Sequence, residues 1–137
     1  MLKFPREAPM FLQSLLFVTV FLTVQVETTF TVEYAGKKYE FRVSDQDLQQ
    51  TPAWESGQEN PPLSARRAIE IATNQLSALL PNGKDWRLHA VTLRPIENRW
   101  VYLVEFLEPL RADGPERQLS SGFQIVVLMN GAAVAPR

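Results

Sequence analysis

Trp100-Val-Tyr-Leu-Val-Glu-Phe-Leu107 is apolar at odd and even positions alike, with Glu105 as the one charged interruption. Successive side chains of a strand point to opposite faces, so a segment of this kind has to be covered on both sides, as a central strand usually is. Trp86–Ile96 reads as a strand before it, joined by the tight connection Glu97-Asn98-Arg99. Phe123–Met129 reads as a strand after it. Asn130-Gly131 is a two-residue hairpin signal, and Ala132–Val134 returns as a short last strand. The polar loop Glu108–Gly122, with Gly114-Pro115 and Ser120-Ser121-Gly122, separates the second and third strands.

A helix precedes these strands. Leu63–Leu80 places Ala65, Ala68, Ile69, Ala72, Gln75, Leu76, Leu79 and Leu80 on one face. Ser64 is an N-cap type and follows the Pro61-Pro62 breaker; Pro81-Asn82-Gly83 ends the helix. Arg67, three residues after Ser64, leaves the capping box incomplete, and Arg66 and Arg67 sit at the positive end of the dipole. The small residues Ala65, Ala68 and Ala72 let the helix sit close to a sheet. One helix covers one face of the central strand. The other face needs an upstream segment, a second copy of the chain, or a partner.

Thr28–Val43 supplies such a segment. Phe30, Val32 and Tyr34 alternate with Thr31 and Glu33; Tyr39, Phe41 and Val43 alternate with Glu40 and Arg42. Ala35-Gly36-Lys37-Lys38 makes the turn, with Gly36 free to take a positive φ. This is a β-hairpin with one apolar face for a core and one polar face for solvent. Ser44–Pro62 is a polar, proline-containing connection in which Asp45–Gln50 has room for one helical turn. Trp54 stands out in it, either pinning the loop to the domain or contacting a partner.

Lys3 and Arg6 precede Met10–Val24, an apolar run of about 15 residues. A basic stretch followed by such a core is the pattern of an export signal, and it is short of the roughly 20 residues of a membrane-spanning helix. Its exit, Thr23-Val-Gln-Val-Glu27, has no small-x-small cleavage site. Three readings follow: a cleaved signal, an uncleaved short anchor, or a buried strand built on Val18, Val20, Leu22, Val24 and Val26. The chain thus divides into residues 1–26 as leader or anchor, 27–62 as hairpin plus connection, and 63–137 as an α+β module. One main helix packs on an antiparallel sheet in αβββ order, and the hairpin is added to it.

Chemistry is sparse. The 137 residues carry a formal charge of −1, no cysteine and one histidine. That excludes disulfides, thiolate metal sites, cysteine nucleophiles and any site needing two imidazoles from one chain. No basic field exists to replace counterions on phosphate, so nucleic acid is not an expected partner. No glycine-rich phosphate loop follows a strand, no serine sits in a nucleophile elbow, and no cofactor or metal site is indicated. His89, between Leu88 and Ala90, would need an orienting acid to act as a base. Glu97, Glu105 and Glu108 are the carboxylates within sequence reach of such a role. Glu105 otherwise reads as a cross-sheet partner of Arg87, Arg94 or Arg99.

The order helix–strand–strand–strand resembles the PepSY domain family. The resemblance rests on Ala68-Ile69-Glu70-Ile71-Ala72, on Trp100–Phe106, and on the closing Val126-Val-Leu-Met-Asn-Gly-Ala-Ala-Val134. It covers Leu63–Pro136. The chain departs from the pattern in lacking an acid before the final turn and in the length of Glu108–Gly122. The resemblance implies an extracytoplasmic, non-catalytic binding or inhibitory module of the periplasm or cell envelope. A protein or peptide would be its partner, a homodimer is compatible with it, and the membrane would be met only through an uncleaved N-terminal segment. Trp54, Trp100, Tyr102 and Glu105 are the candidates for partner contact. The alternatives are a small pocket enzyme using His89 and a carboxylate, and a membrane-anchored structural subunit.

Overall fold

The computed structural model describes residues 20, 22, 26–109 and 121–137. Its elements are β1 (Glu27–Tyr34), β2 (Lys37–Ser44), the one-turn helix α1 (Asp45–Gln49), the main helix α2 (Ala65–Leu79), β3 (Arg87–Ile96), β4 (Arg99–Leu107) and β5 (Gly122–Leu128). The fold is α+β. Its strands form two antiparallel sheets, β1–β2 and β3–β4–β5, so the hairpin is a sheet of its own. Of the Met10–Val24 run only Val20 and Leu22 are described; they and Val26 are exposed and in no strand, against the buried-strand reading. The rest of that run, with its export-signal reading, and most of Glu108–Gly122 lie outside the described residues. Among the described residues no helix is long and apolar enough to cross a membrane.

The ends of the helices follow local chemistry. Ser44 and Asp47 form a full capping box on α1: the Ser44 hydroxyl accepts from the Asp47 N–H at 3.1 Å, and the Asp47 carboxylate accepts from the Ser44 N–H at 3.0 Å. Ser64 caps α2 by accepting from the Arg67 N–H at 3.2 Å, without the reciprocal bond that Arg67 has no acceptor to make. Leu80 ends α2 in extended geometry (φ −118°, ψ 136°), as the residue before a proline tends to. A 3-10 turn at Gly83–Asp85 then leads into β3.

β4 is the middle strand, and its register decides which side chains share a face, because directly opposed residues project the same way. Tyr102 lies opposite Leu93 and Val127, and Val104 opposite Val91 and Ile125. α2 is on this side, since the Tyr102 hydroxyl donates to the Leu63 carbonyl just ahead of the helix cap, at 2.6 Å. The helix buries Ala68, Ala72 and Leu76 against it, a four-residue spacing that keeps them on one stripe. On the opposite face Val101 is paired with Arg94 and Leu128, and Leu103 with Thr92 and Val126. Val101, Leu103, Val126 and Leu128 are buried too. The Arg94 guanidinium stands 5.3 Å from the centre of the Phe30 ring, which brings β1 to this side. Both faces of β4 are therefore buried within one chain.

The hairpin buries Phe30, Tyr39, Phe41 and Val43 and turns Lys38, Glu40 and Arg42 outward. Outside, Glu40 takes the Lys38 ammonium at 3.0 Å and the Arg42 guanidinium at 2.8 Å. Inside, its rings converge on Phe123 of β5. The Phe123 ring meets Tyr39 edge-on at 5.0 Å between centroids, Phe41 at 6.2 Å, Tyr34 at 6.5 Å and Trp86 at 6.2 Å. Residues of the 30–43, 68–106 and 123–129 segments thus share one apolar cluster.

The C-terminal stretch departs from the predicted hairpin. The Gly131 N–H donates to Leu128 O and the Leu128 N–H to Ala132 O, both at 2.9 Å, with Gly131 at φ +86°. That is a three-residue loop closed by a glycine bulge, not a two-residue turn. Beyond it the predicted last strand is reduced to the single bridge Val127↔Ala133. The chain then leaves β5 and pairs with β2 through Phe41↔Pro136 and the Arg137 N–H on Glu40 O, at 2.9 Å. Its backbone bonds are divided between two strands, so neither stretch extends into a strand. It is also the backbone bridge between the two sheets.

Candidate functional site

The two sheets leave an open depression of about 400 Å³ at their seam. β1 lines it with Thr31–Glu33, β3 with His89, β4 with Glu105–Leu107 and β5 with Gly122–Gln124. Each charged or imidazole side chain is there for a local reason. His89 occupies a register shift between Leu88 and Ala90, so it has no residue opposite it on β4 and is exposed. A bulge re-aims a side chain in this way. Glu105 is half-buried, opposite Ala90 and Gln124, at the end of β4 where the buried run gives way. Glu33 is an outward position of β1 opposite Lys38, whose ammonium is already engaged by Glu40.

Glu33, His89 and Glu105 make no side-chain hydrogen bond or ion pair with another described residue. In particular Glu105 is not paired with Arg87, Arg94 or Arg99. Among the described residues no carboxylate orients His89, so none of them forms an acid–base dyad with it. No group of three His, Asp or Glu side chains is arranged to hold a metal ion among the described residues. The lining offers acceptor oxygens over an apolar contribution from Val32, Phe106 and Phe123.

The residues predicted for partner contact fall in three places. Trp54 meets Trp100 edge-on at 5.5 Å between ring centres, and its indole N–H donates to the Gln58 carbonyl at 3.0 Å. Both indoles are half-buried, and the pair fastens the connection between α1 and α2 to the start of β4. Tyr102 is 1% exposed, with its hydroxyl held by Leu63. Its ring is part of the core and offers no surface to a partner. Glu105 reaches the depression, roughly 16 Å along β4 from Trp100 at about 3.3 Å per residue. The four do not form one site.

The depression brings in residues that the sequence did not single out: Thr31, Glu33 and Gln124. Thr31 and Glu33 alternate with the apolar positions of β1 and read as ordinary solvent-facing residues. Only the packing of the hairpin across the ends of β4 and β5 turns them toward a concave surface. The chain matches no family model, no curated protein and no solved structure.

Proposed function

We propose that this chain is an exported, non-catalytic binding module of the periplasm or cell envelope, PepSY-like in its α2–β3–β4–β5 order, that takes a protein or peptide partner at the seam depression. The observation that carries the reading is the lining itself. Among the described residues it holds acceptor groups without partners, contributed by both sheets, and no oriented catalytic pair. Buried or partly buried polar groups are usually hydrogen-bonded, so side chains left open in a concavity are suited to an incoming ligand. The Lys3/Arg6 and Met10–Val24 pattern supports export.

The test is a selection from a displayed random-peptide library against the folded full chain, followed by amide chemical-shift mapping. Enriched peptides should shift Thr31, Glu33, His89 and Gln124. Peptides that shift other surfaces, or no enrichment at all, would end this reading. The mass of the exported protein separates a cleaved signal from a retained anchor, and so from a membrane-anchored structural subunit.

A second reading is favoured by one observation: His89 and Glu105 line the same depression. A small pocket enzyme would use His89 as a base once substrate draws a carboxylate to it, since catalytic hydrogen bonds often tighten only in the complex. It requires turnover of some ester, amide or phosphate probe that His89→Gln abolishes while peptide binding persists.

A further inference from the structure

We infer that the depression receives a basic side chain, an arginine or lysine of the bound peptide, with its cationic head toward Glu33 and Glu105. This rests on the binding-module reading and names its ligand class. Among the described residues, the depression is lined by one glutamate from each sheet, Glu33 and Glu105, and by no lysine or arginine. The cation nearest to Glu33 in the register, Lys38, is bound at 3.0 Å to Glu40 and is not available to neutralise it. Glu105 is half-buried, so its charge is less screened than that of a surface carboxylate. An anionic group would meet repulsion here, and a neutral apolar one would leave Glu105, Gln124 and Thr31 without water or partner. Long basic side chains combine an apolar stem with a charged tip, which matches this lining. A volume of about 400 Å³ holds one such side chain and some water, at the lower end of ordinary ligand sites.

The experiment compares peptides from the selection in which arginine is replaced by citrulline, or lysine by acetyl-lysine. Citrulline keeps the shape of arginine and removes its charge; acetylation removes the lysine charge but adds an acetyl group, so the arginine–citrulline pair is the stricter comparison. Affinity should fall about tenfold or more, the scale of a lost charge-assisted hydrogen bond. The double variant Glu33→Gln/Glu105→Gln should bind both peptide forms equally weakly. Glu55→Gln/Glu59→Gln, which removes the same charge from an exposed loop, should keep the preference. Amide spectra confirm that each variant is folded. Equal binding of charged and neutral forms to the native chain, or an unchanged preference in Glu33→Gln/Glu105→Gln, overturns the inference. If peptides map to the depression without needing a basic residue, the binding-module reading stands and this one fails. If none maps there, both fail.

Discussion

The Tyr102 hydroxyl donates to the Leu63 carbonyl at 2.6 Å, joining the middle of β4 to a residue 39 positions earlier, just before α2 begins. The bond fixes where the helix starts over the sheet. Tyr102→Phe keeps the ring and deletes the donor, leaving a carbonyl inside the fold short of a partner. The expected cost is about 1 kcal/mol. Urea unfolding should show a lower midpoint with an unchanged slope. A midpoint equal to that of the wild type would mean that water replaces the hydroxyl freely.

The same residue makes a pH prediction. Burial pushes the Tyr102 hydroxyl above its ordinary value, because the phenolate would lose its hydration. The folded pKa therefore lies above the unfolded one. Between the two the folded state holds a proton that the unfolded state has released, so stability falls with rising pH. The contribution is fully present below about pH 10, where the unfolded tyrosine titrates, and is lost above it as pH rises through the folded pKa. The advantage of the wild type over Tyr102→Phe should be flat at neutral pH and shrink above about pH 10. Urea titrations of both proteins across that range check it. An advantage that grows there would reverse the sign.

Gly83 packs under the end of α2. A Cβ there would collide with the Leu76 carbonyl oxygen and lie 2.7 Å from its carbon and 2.9 Å from the Ser77 Cα. These are backbone atoms of a helix and cannot swing aside. Gly83→Ala should destabilise by roughly 1–3 kcal/mol through overpacking. Thermal unfolding of Gly83→Ala measures this. Gly57→Ala is a useful contrast, because its Cβ would meet nothing within 4 Å and only its φ of +97° opposes the change.

Much of this fold was legible locally, and the failures have a common cause. Ser64 and the alternation of Phe30 with Thr31 are local signals, and the helix cap and hairpin appeared where those signals put them. The double-sided burial of β4 was readable from Val101–Val104 for the same reason. What decides the rest is contact between distant segments. Nothing in Tyr39 or Phe41 says that they will pack on Phe123, so the separate sheets and their seam were not readable. His89 looked like any strand residue because a bulge depends on the partner strand. Met129 read as strand because it is apolar; it is buried at 2% exposure although it belongs to the turn. That is why Asn130-Gly131 looked like a two-residue loop. Of the candidate site, His89 and Glu105 were visible as odd polar residues in strands, whereas Glu33 and Gln124 matched a bland alternation.

The β1–β2 turn holds a correctable strain. Ala35 sits at φ +51° and Gly36 at φ +75°. Both central residues are thus left-handed, as a two-residue hairpin turn of the type favoured by Asn-Gly requires. Alanine in that region costs about 1 kcal/mol, while asparagine tolerates it. Ala35 is exposed, so no packing is lost on replacement. Ala35→Asn should stabilise by about 0.5–1 kcal/mol, read as a rise in the urea midpoint. A fall would show that the turn is not limited by backbone conformation.

Tyr39 and Phe123 are on different sheets, with ring centroids 5.0 Å apart and planes 73° apart. Edge-to-face pairs of this kind contribute about 0.5–1.5 kcal/mol beyond the area they bury. A double-mutant cycle on Tyr39→Leu and Phe123→Leu should return a coupling in that range. Residues that do not touch give values near zero, within about 0.3–0.5 kcal/mol of additivity. Each single change should also lower hydrogen-exchange protection in β1–β2 more than in β3–β4, because the smaller sheet has two strands and a lone hairpin is marginal in water. The tail bonds through Arg137 and Glu40 offer a competing tether. Coupling near zero with uniform loss of protection would assign the docking of the hairpin to that backbone bridge and to Arg94 over Phe30, not to the ring cluster.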